Sequence, residues 1–250
     1  MNISKDSIKQ RFSKACASYE NSANVQAIMG QELIYSLEDL YFTNILEIGA
    51  GTGLLSENIC NSLCYSKFVI NDICDEMLAC CKERLKEYPN LEYLNCDAEH
   101  LPITEKEQFD LIISNACFQW FDNLKQSLEA LKDLLTVDGV LAFSIFTEGN
   151  FEEIKKCSGI SLDYLSSVKL REILKQVFTC YTLKSRTFVL YFEDVKSLLK
   201  TLKKAGVTGL SGQVWSKGRM QQFIDNYEKN FRTTKGLRLT YKCYYVMAYK

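Results

Sequence analysis

The chain has 250 residues, of which 47% are apolar and 24% charged, with a net charge of −1. This composition excludes a disordered or fibrous chain and suits a globular α/β domain with an elaborated cap. No run approaches the roughly 18 uninterrupted apolar residues of a membrane span, and the polar start MNISKDSIKQRF lacks an apolar signal core, so a cytoplasmic protein is expected.

Residues 6–41 read as helical. Ile8, Phe12, Cys16 and Tyr19 form one stripe at 3.6 spacing, and Val25, Ile28/Met29, Leu33 and Leu37 form another, with Ser22 or Asn24 placed to cap the second helix. Short apolar strands then alternate with helices. The strands are NILEIG (44–49), KFVIND (67–72), LEYLNC (91–96), FDLIISN (109–115) and VLAFSIF (140–146). The helices fall near 53–64, 75–87 and 123–135, the last followed by a turn at Val137-Asp138-Gly139. This rhythm predicts a parallel sheet covered on both faces. Beyond residue 147 the pattern gives helices at 150–158 and 168–178 and a strand at 185–192. A helix at 193–204, stopped by Gly206, is followed by another near 216–231. The final strand, 236–250, alternates with Leu237, Leu239, Tyr241, Cys243, Tyr245 and Met247 on one face. The reading is a single domain: a helical lid (1–41), a core (42–147), and cap helices with C-terminal strands (148–250).

The cysteines number eleven and lie mostly in apolar periodic segments; no C-x-x-C occurs, and the single histidine, His100, has no thiol pattern nearby. No metal site and no disulfide framework are expected, and the thiols read as small reduced core residues. Cys60 and Cys64, at i,i+4, keep a redox role open. Charge divides unevenly: residues 1–150 carry 11 Lys/Arg against 23 Asp/Glu, and residues 151–250 carry 19 against 8. A solvated surface explains such a basic half, as does an anionic partner.

The first strand delivers LEIGAGTGLL directly into a helix. Glycines at 49, 51 and 53 permit positive φ and close approach by a ligand. A dinucleotide fold uses G-x-G-x-x-G instead. Here Glu47 precedes the glycines, and an acid there repels a pyrophosphate but pairs with an ammonium or sulfonium. Asp72 ends the second strand, where a carboxylate can accept both hydroxyls of a ribose. Asp97-Ala98-Glu99 follows the third strand, within reach of the amino group of an adenine. Three acid sites at the carboxyl ends of adjacent strands mark the edge where open α/β sheets bind ligands.

With these residues the chain resembles the class I S-adenosylmethionine-dependent methyltransferases over roughly 40–147. The resemblance implies a Rossmann-like, mostly parallel seven-stranded sheet with an antiparallel last strand. It implies that Phe12, Tyr19, Glu47, Gly49, Ala50, Gly51, Gly53, Asp72, Ile73, Met77, Asp97, Ala98, Glu99 and Asn115 hold S-adenosylmethionine, with Asn115 near the reactive sulfur. RFSKACASYENSANVQ (11–26), SNACFQWFDN (114–123), FSIFTEGNFEEI (143–154), LKKAGVTG (202–209) and GLRLTYKCYYVMAYK (236–250) resemble, more narrowly, the malonyl-acyl-carrier-protein O-methyltransferases of biotin synthesis. That implies methylation of the free carboxylate of a malonyl thioester and a lid over residues 8–26. One departure is KDLLTVDGV (132–140), where the family has a basic residue and P-G-G.

After the fourth strand, Ser114-Asn115-Ala116-Cys117 lacks the N/D-P-P-Y/F of enzymes that methylate amino groups of bases or amides. Gln119, flanked by Phe118 and Trp120, suits a small polar acceptor in a dry slot, although either ring also reads as core. Tyr19, Asn115 and Gln119 are the expected catalytic residues, and Gln119, Trp120 and Arg11 the expected acceptor contacts; Lys14 reads as a solvated helix residue. The basic half suits an acidic acyl carrier protein, through Lys196, Lys200, Lys203 and Lys204 and residues 217–242, or else a CoA thioester. A carboxyl methyltransferase of free small acids and a non-catalytic partner subunit of the same fold are the other readings. The kept acids and glycines oppose the second. Scarce arginine and the missing proline motif oppose RNA binding.

Overall fold

Apolar runs bounded by glycine and acid turns fold as the rhythm predicts. The computed structural model describes residues 4–16, 19, 23–37, 40–104, 106–204 and 215–250. Two helices come first, α1 (Lys5–Ala15) and α2 (Asn24–Tyr35). The core follows as β1 (Asn44–Ile48), α3 (Leu54–Ser62), β2 (Lys67–Asp72), α4 (Asp75–Arg84), β3 (Leu91–Asn95), β4 (Phe109–Asn115), α5 (Leu124–Asp133) and β5 (Leu135–Phe146). The remainder comprises α6 (Glu152–Ser158), α7 (Ser167–Val177), β6 (Cys180–Phe192), α8 (Val195–Lys204), α9 (Lys217–Phe231), β7 (Arg232–Thr233) and β8 (Gly236–Tyr249).

The sheet runs β3-β2-β1-β4-β5-β8-β6. Pairs among β1 to β5 are parallel, while β8 is antiparallel to both β5 and β6. The seven-strand path is the expected one, and the two-residue β7 adds an eighth strand among the described residues by pairing with the start of β8. Both faces are covered. On β1, Ile45 joins the core under α2, α3, α4, α8 and α9, whereas Leu46 joins the core under α5 and α7. Alternate strand residues thus enter opposite cores, which is why these strands read as continuous apolar runs. Each fully buried Leu or Ile stabilises by about 1.5–3 kcal/mol. The chain steps outward from β1 to β3, then returns to β4 beside β1. That reversal opens a crevice at the carboxyl ends of β1 and β4.

Several local expectations need correction. Val137-Asp138-Gly139 does not end a helix–strand turn. It forms an irregularity inside β5, where the register with β4 shifts between Phe109 and Leu111. The family's P-G-G departure therefore falls in a bulge remote from the crevice. Ala23, not Asn24, is the N-cap of α2, and no side chain caps it; Ser22 lies outside the described residues, as does the expected helix stop at Gly206. β6 begins at Cys180, five residues before the expected strand, and pairs with β8 over thirteen residues. On β8 the alternation breaks at Tyr245 and Val246, both buried, because this end lies between β5 and β6. One thiol pair also departs from expectation. Cys16, which ends α1, meets Cys80 of α4 sulfur to sulfur, tying α1 to α4 across 64 residues. No helix among the described residues is long and apolar enough to cross a membrane.

Candidate active site

The tip of β1 turns through Gly49, Gly51 and Gly53 at φ +71°, +58° and +86°. A Cβ at Gly49 would run into the Cys117 side chain, and one at Gly53 would approach Cys81 Sγ to 2.8 Å. Gly51 has nothing within 4 Å of that position, so its main chain faces open space. The Gly49 and Ala50 N–H groups both donate to the Asn71 carbonyl at 2.9 Å, lashing the turn to β2.

Asp72 lies beside this turn, 8% exposed. Its Oδ2 accepts from the Gly51 N–H and its Oδ1 from the Cys74 N–H, both at 2.8 Å. Burial pushes its pKa up, and these N–H groups oppose the rise. Each oxygen keeps further accepting capacity. Glu47 is 1% exposed, with Ser56 Oγ donating to its Oε2 at 2.5 Å. Burial pushes the Glu47 carboxyl up to about 8, so it is largely protonated at neutral pH unless a cation sits beside it.

Most residues expected from the sequence converge. Phe12, Tyr19, Gly49, Gly51, Asp72, Ile73, Met77, Asp97, Ala98, Asn115 and Trp120 line one cleft of about 90 Å³. Glu47 and Ala50 line a second space that shares Tyr19, Gly49, Gly51 and Asn115 with it. Gln119 lines a third, an aromatic slot sharing Phe12, Tyr19, Ala116 and Trp120 with the cleft. The slot wall is a run of rings: Phe12 stands edge-on to Trp120 at 5.7 Å and 89°, and to Tyr19 at 6.3 Å. Phe118 is core, packed on Phe121 and Phe143 at 4.9 Å.

Five expected residues either stand outside these spaces or spend their polar groups within the protein. Gly53 is the N-cap of α3 and lines none of these spaces. Glu99 accepts from the Asp122 and Asn123 N–H groups at 2.9 Å and pairs with Lys5 at 2.5 Å. Burial opposes its ionisation, yet Lys5 and those N–H groups hold Glu99 below the usual carboxylate range. Arg11 also lines none of the three spaces, and burial lowers its guanidinium pKa. Lys14 is exposed. Gln119 spends its amide on the main chain, Nε2 donating to the Ala116 carbonyl and Oε1 accepting from the Phe146 N–H. Asn115 likewise donates to the Gln26 carbonyl at 2.8 Å and accepts from Ser144 Oγ at 2.5 Å. Ala116, between them, sits at φ +51°, a strained conformation stored at the strand tip.

The sequence reading missed Lys5, Gln26, Phe151 and Tyr164, which the fold brings to these walls. Lys5 and Lys9, one turn apart on α1, meet Asp97 at 3.5 Å and Asp75 at 3.3 Å; their spacing opposite the acids was the available signal. Tyr164 Oη accepts from Asn150 Nδ2 at 2.8 Å, so its own O–H is left to donate.

A model described as a methyltransferase domain matches residues 46–143. A malonyl-acyl-carrier-protein O-methyltransferase of Bacteroides thetaiotaomicron is 32% identical, over 99% of this chain and 99% of its own length. Among solved structures, the YcgJ protein of Bacillus subtilis is similar with a TM-score of 0.66 at 15% identity, covering 89% of this chain and 97% of that one. The N-methyltransferase NodS of Bradyrhizobium japonicum, in complex with S-adenosylhomocysteine, gives 0.52 at 12% identity, covering 88% and 85%. These likenesses show the fold, and the full-length relative shows the family: the chain belongs to the malonyl-acyl-carrier-protein O-methyltransferases.

Proposed function

We propose that this protein transfers a methyl group from S-adenosylmethionine to the free carboxylate of a malonyl thioester, yielding the methyl ester, an early step of biotin synthesis. The observation that carries this reading is that an acid-tipped cleft and an aromatic slot share Phe12, Tyr19 and Trp120.

The donor fits the residues present. Its ribose meets Asp72, an acceptor preset by the Gly51 and Cys74 N–H groups. Ile73, Met77 and Ala98 offer apolar walls for the adenine, and Asp97 an acceptor for its amino group. Glu47 lies behind the glycine turn for the methionine end, where Gln26 Oε1 and Thr52 Oγ1 are buried without partners among the described residues. S-adenosylmethionine, when bound, supplies a methyl group made electrophilic by its sulfonium.

The chain's own residues need only hold and dry the acceptor. A malonyl carboxylate has a pKa near that of Asp, about 4, so it is ionised at pH 7 and requires no general base. Burial raises the Tyr19 phenol further above its ordinary value, so it stays an O–H donor. Tyr19 and Tyr164 donate toward the carboxylate, while Phe12, Trp120, Phe146 and Phe151 exclude water from it. Such positioning supplies at most roughly 7–11 kcal/mol of barrier lowering. The acyl group rides on an acidic carrier protein, for which α8 presents exposed Lys196, Lys200 and Lys203.

Mass spectrometry of malonyl-carrier protein incubated with S-adenosylmethionine tests this. One added methyl on the malonyl group is expected, with malonyl-CoA a poorer substrate and free malonate inert. Methylation of free dicarboxylates at the same rate would reassign the protein to small acids.

A further inference from the structure

Gln26 stands on the first turn of α2 and is 7% exposed. Its main-chain carbonyl is pinned to the tip of β4 by Asn115 Nδ2 at 2.8 Å, so the position of this turn is fixed. Its side-chain Oε1, by contrast, is buried and has no hydrogen-bond partner among the described residues. Buried polar oxygens are almost always partnered, and a bare one lining a cavity calls for a missing donor.

The location says which donor. Gln26 and Tyr19 are the side chains common to the space behind the glycine turn and the aromatic slot, so Gln26 stands at their boundary. In the first space it faces two other oxygen groups: the Thr52 hydroxyl, also buried and unpartnered, and the Glu47 carboxyl. Several acceptors around one small volume complement a compact cation with several N–H bonds. An ionised carboxylate acceptor offers no hydrogen to donate; a primary ammonium offers three.

We propose that Gln26 is a specificity residue for the amino-acid end of the methyl donor, its Oε1 accepting a hydrogen bond from the α-ammonium beside Glu47 and Thr52. This rests on the reading of the cleft as the S-adenosylmethionine site. The carboxamide then senses both substrates, because the same side chain forms part of the slot wall where the anionic acceptor lies.

Isothermal titration with two nucleosides tests the assignment. S-adenosylhomocysteine carries the ammonium; 5′-methylthioadenosine has the same adenine and ribose without the amino acid. In Gln26→Leu the dissociation constant for S-adenosylhomocysteine rises on the order of 10-fold, as for a lost hydrogen bond to a charge, while that for 5′-methylthioadenosine is unchanged. Gln26→Glu, which keeps an accepting oxygen, retains S-adenosylhomocysteine binding within about threefold and raises the KM of the malonyl thioester, since it sets a negative charge against an anionic acceptor. Equal weakening of both nucleosides in Gln26→Leu, no weakening of either, or a loss in Gln26→Glu as large as in Gln26→Leu overturns the role of Gln26 alone. Failure of the wild-type protein to bind either nucleoside overturns the cleft assignment and this inference with it.

Discussion

Glu47 shows most plainly how one side chain links fold to function. Its carboxyl is buried among the β1, α3 and α4 residues and titrates near 8 in place of the ordinary carboxylate value. The folded protein therefore holds this proton over a range where the unfolded chain has lost it. The stability it contributes is complete below the ordinary carboxylate pKa and is lost as pH rises through about 8. The melting temperature of the ligand-free protein should accordingly fall between about pH 5 and pH 8, more steeply than that of Glu47→Gln. An ammonium beside Glu47 favours the ionised form, so S-adenosylhomocysteine should bind more tightly as pH rises over the same window, and Glu47→Gln should lose that dependence. Parallel slopes in the two proteins, measured by thermal melts and titration, would contradict the placement of Glu47 at the ammonium. At this scale the sequence was legible where chemistry and position coincide. Asp72 and Glu47 stand at strand tips beside glycines, and each lines one of two adjoining spaces there, as expected from the sequence. Glu99 had the same appearance, but the Asp122 and Asn123 N–H groups, over twenty residues away, claim its oxygens. Gln26 was not singled out, because its unpartnered oxygen becomes visible only once α2 meets β4.

Among the elements, α1 borders the cleft and the slot. It lies over the strand tips through Lys5 on Asp97 and Glu99, Lys9 on Asp75, Cys16 on Cys80, and Phe12 against Trp120. The exposed Lys9–Asp75 pair contributes little, commonly below about 1 kcal/mol, and of these contacts the Phe12–Trp120 pair is the one that also walls the slot. An edge-to-face pair adds about 0.5–1.5 kcal/mol beyond its area. Phe12→Ala should therefore speed S-adenosylhomocysteine dissociation by roughly tenfold and lower kcat, because water enters the slot. The melting temperature should shift by only a few degrees, because Phe12 is half-buried and lies outside both cores. Stopped-flow fluorescence gives the rate; an unchanged rate with a large drop in melting temperature would make Phe12 a structural residue only. The α1 stripe was readable from Ile8, Phe12 and Cys16, but its docking on α4 was not, since 64 residues separate Cys16 from Cys80. The β1 to β5 alternation was legible because strands buried on both faces leave nearly unbroken apolar runs. The first five residues of β6 were not. They lie at the sheet edge with the alternating exposure of Cys180–Lys184, and an edge strand carries no such run.

Across the whole molecule, charge and topology divide the work. The acidic first half supplies the strand-tip carboxylates of the cleft; the basic second half supplies Phe151 and Tyr164 of the slot and the exposed α8 lysines. The chain reversal between β1 and β4 opens one crevice, and Phe151 and Tyr164 of the second half wall the slot beside it. The account stands on that arrangement: acids on one side for the donor, an aromatic slot on the other for the carboxylate, and Tyr19 and Gln26 between them. A crystal structure with S-adenosylhomocysteine tests it most directly. The account predicts ribose hydroxyls on Asp72, the ammonium beside Glu47 and Gln26, and the sulfur facing the slot walled by Phe12 and Trp120. A ligand seated away from the β1–β4 crevice, or with its sulfur turned from that slot, would contradict it.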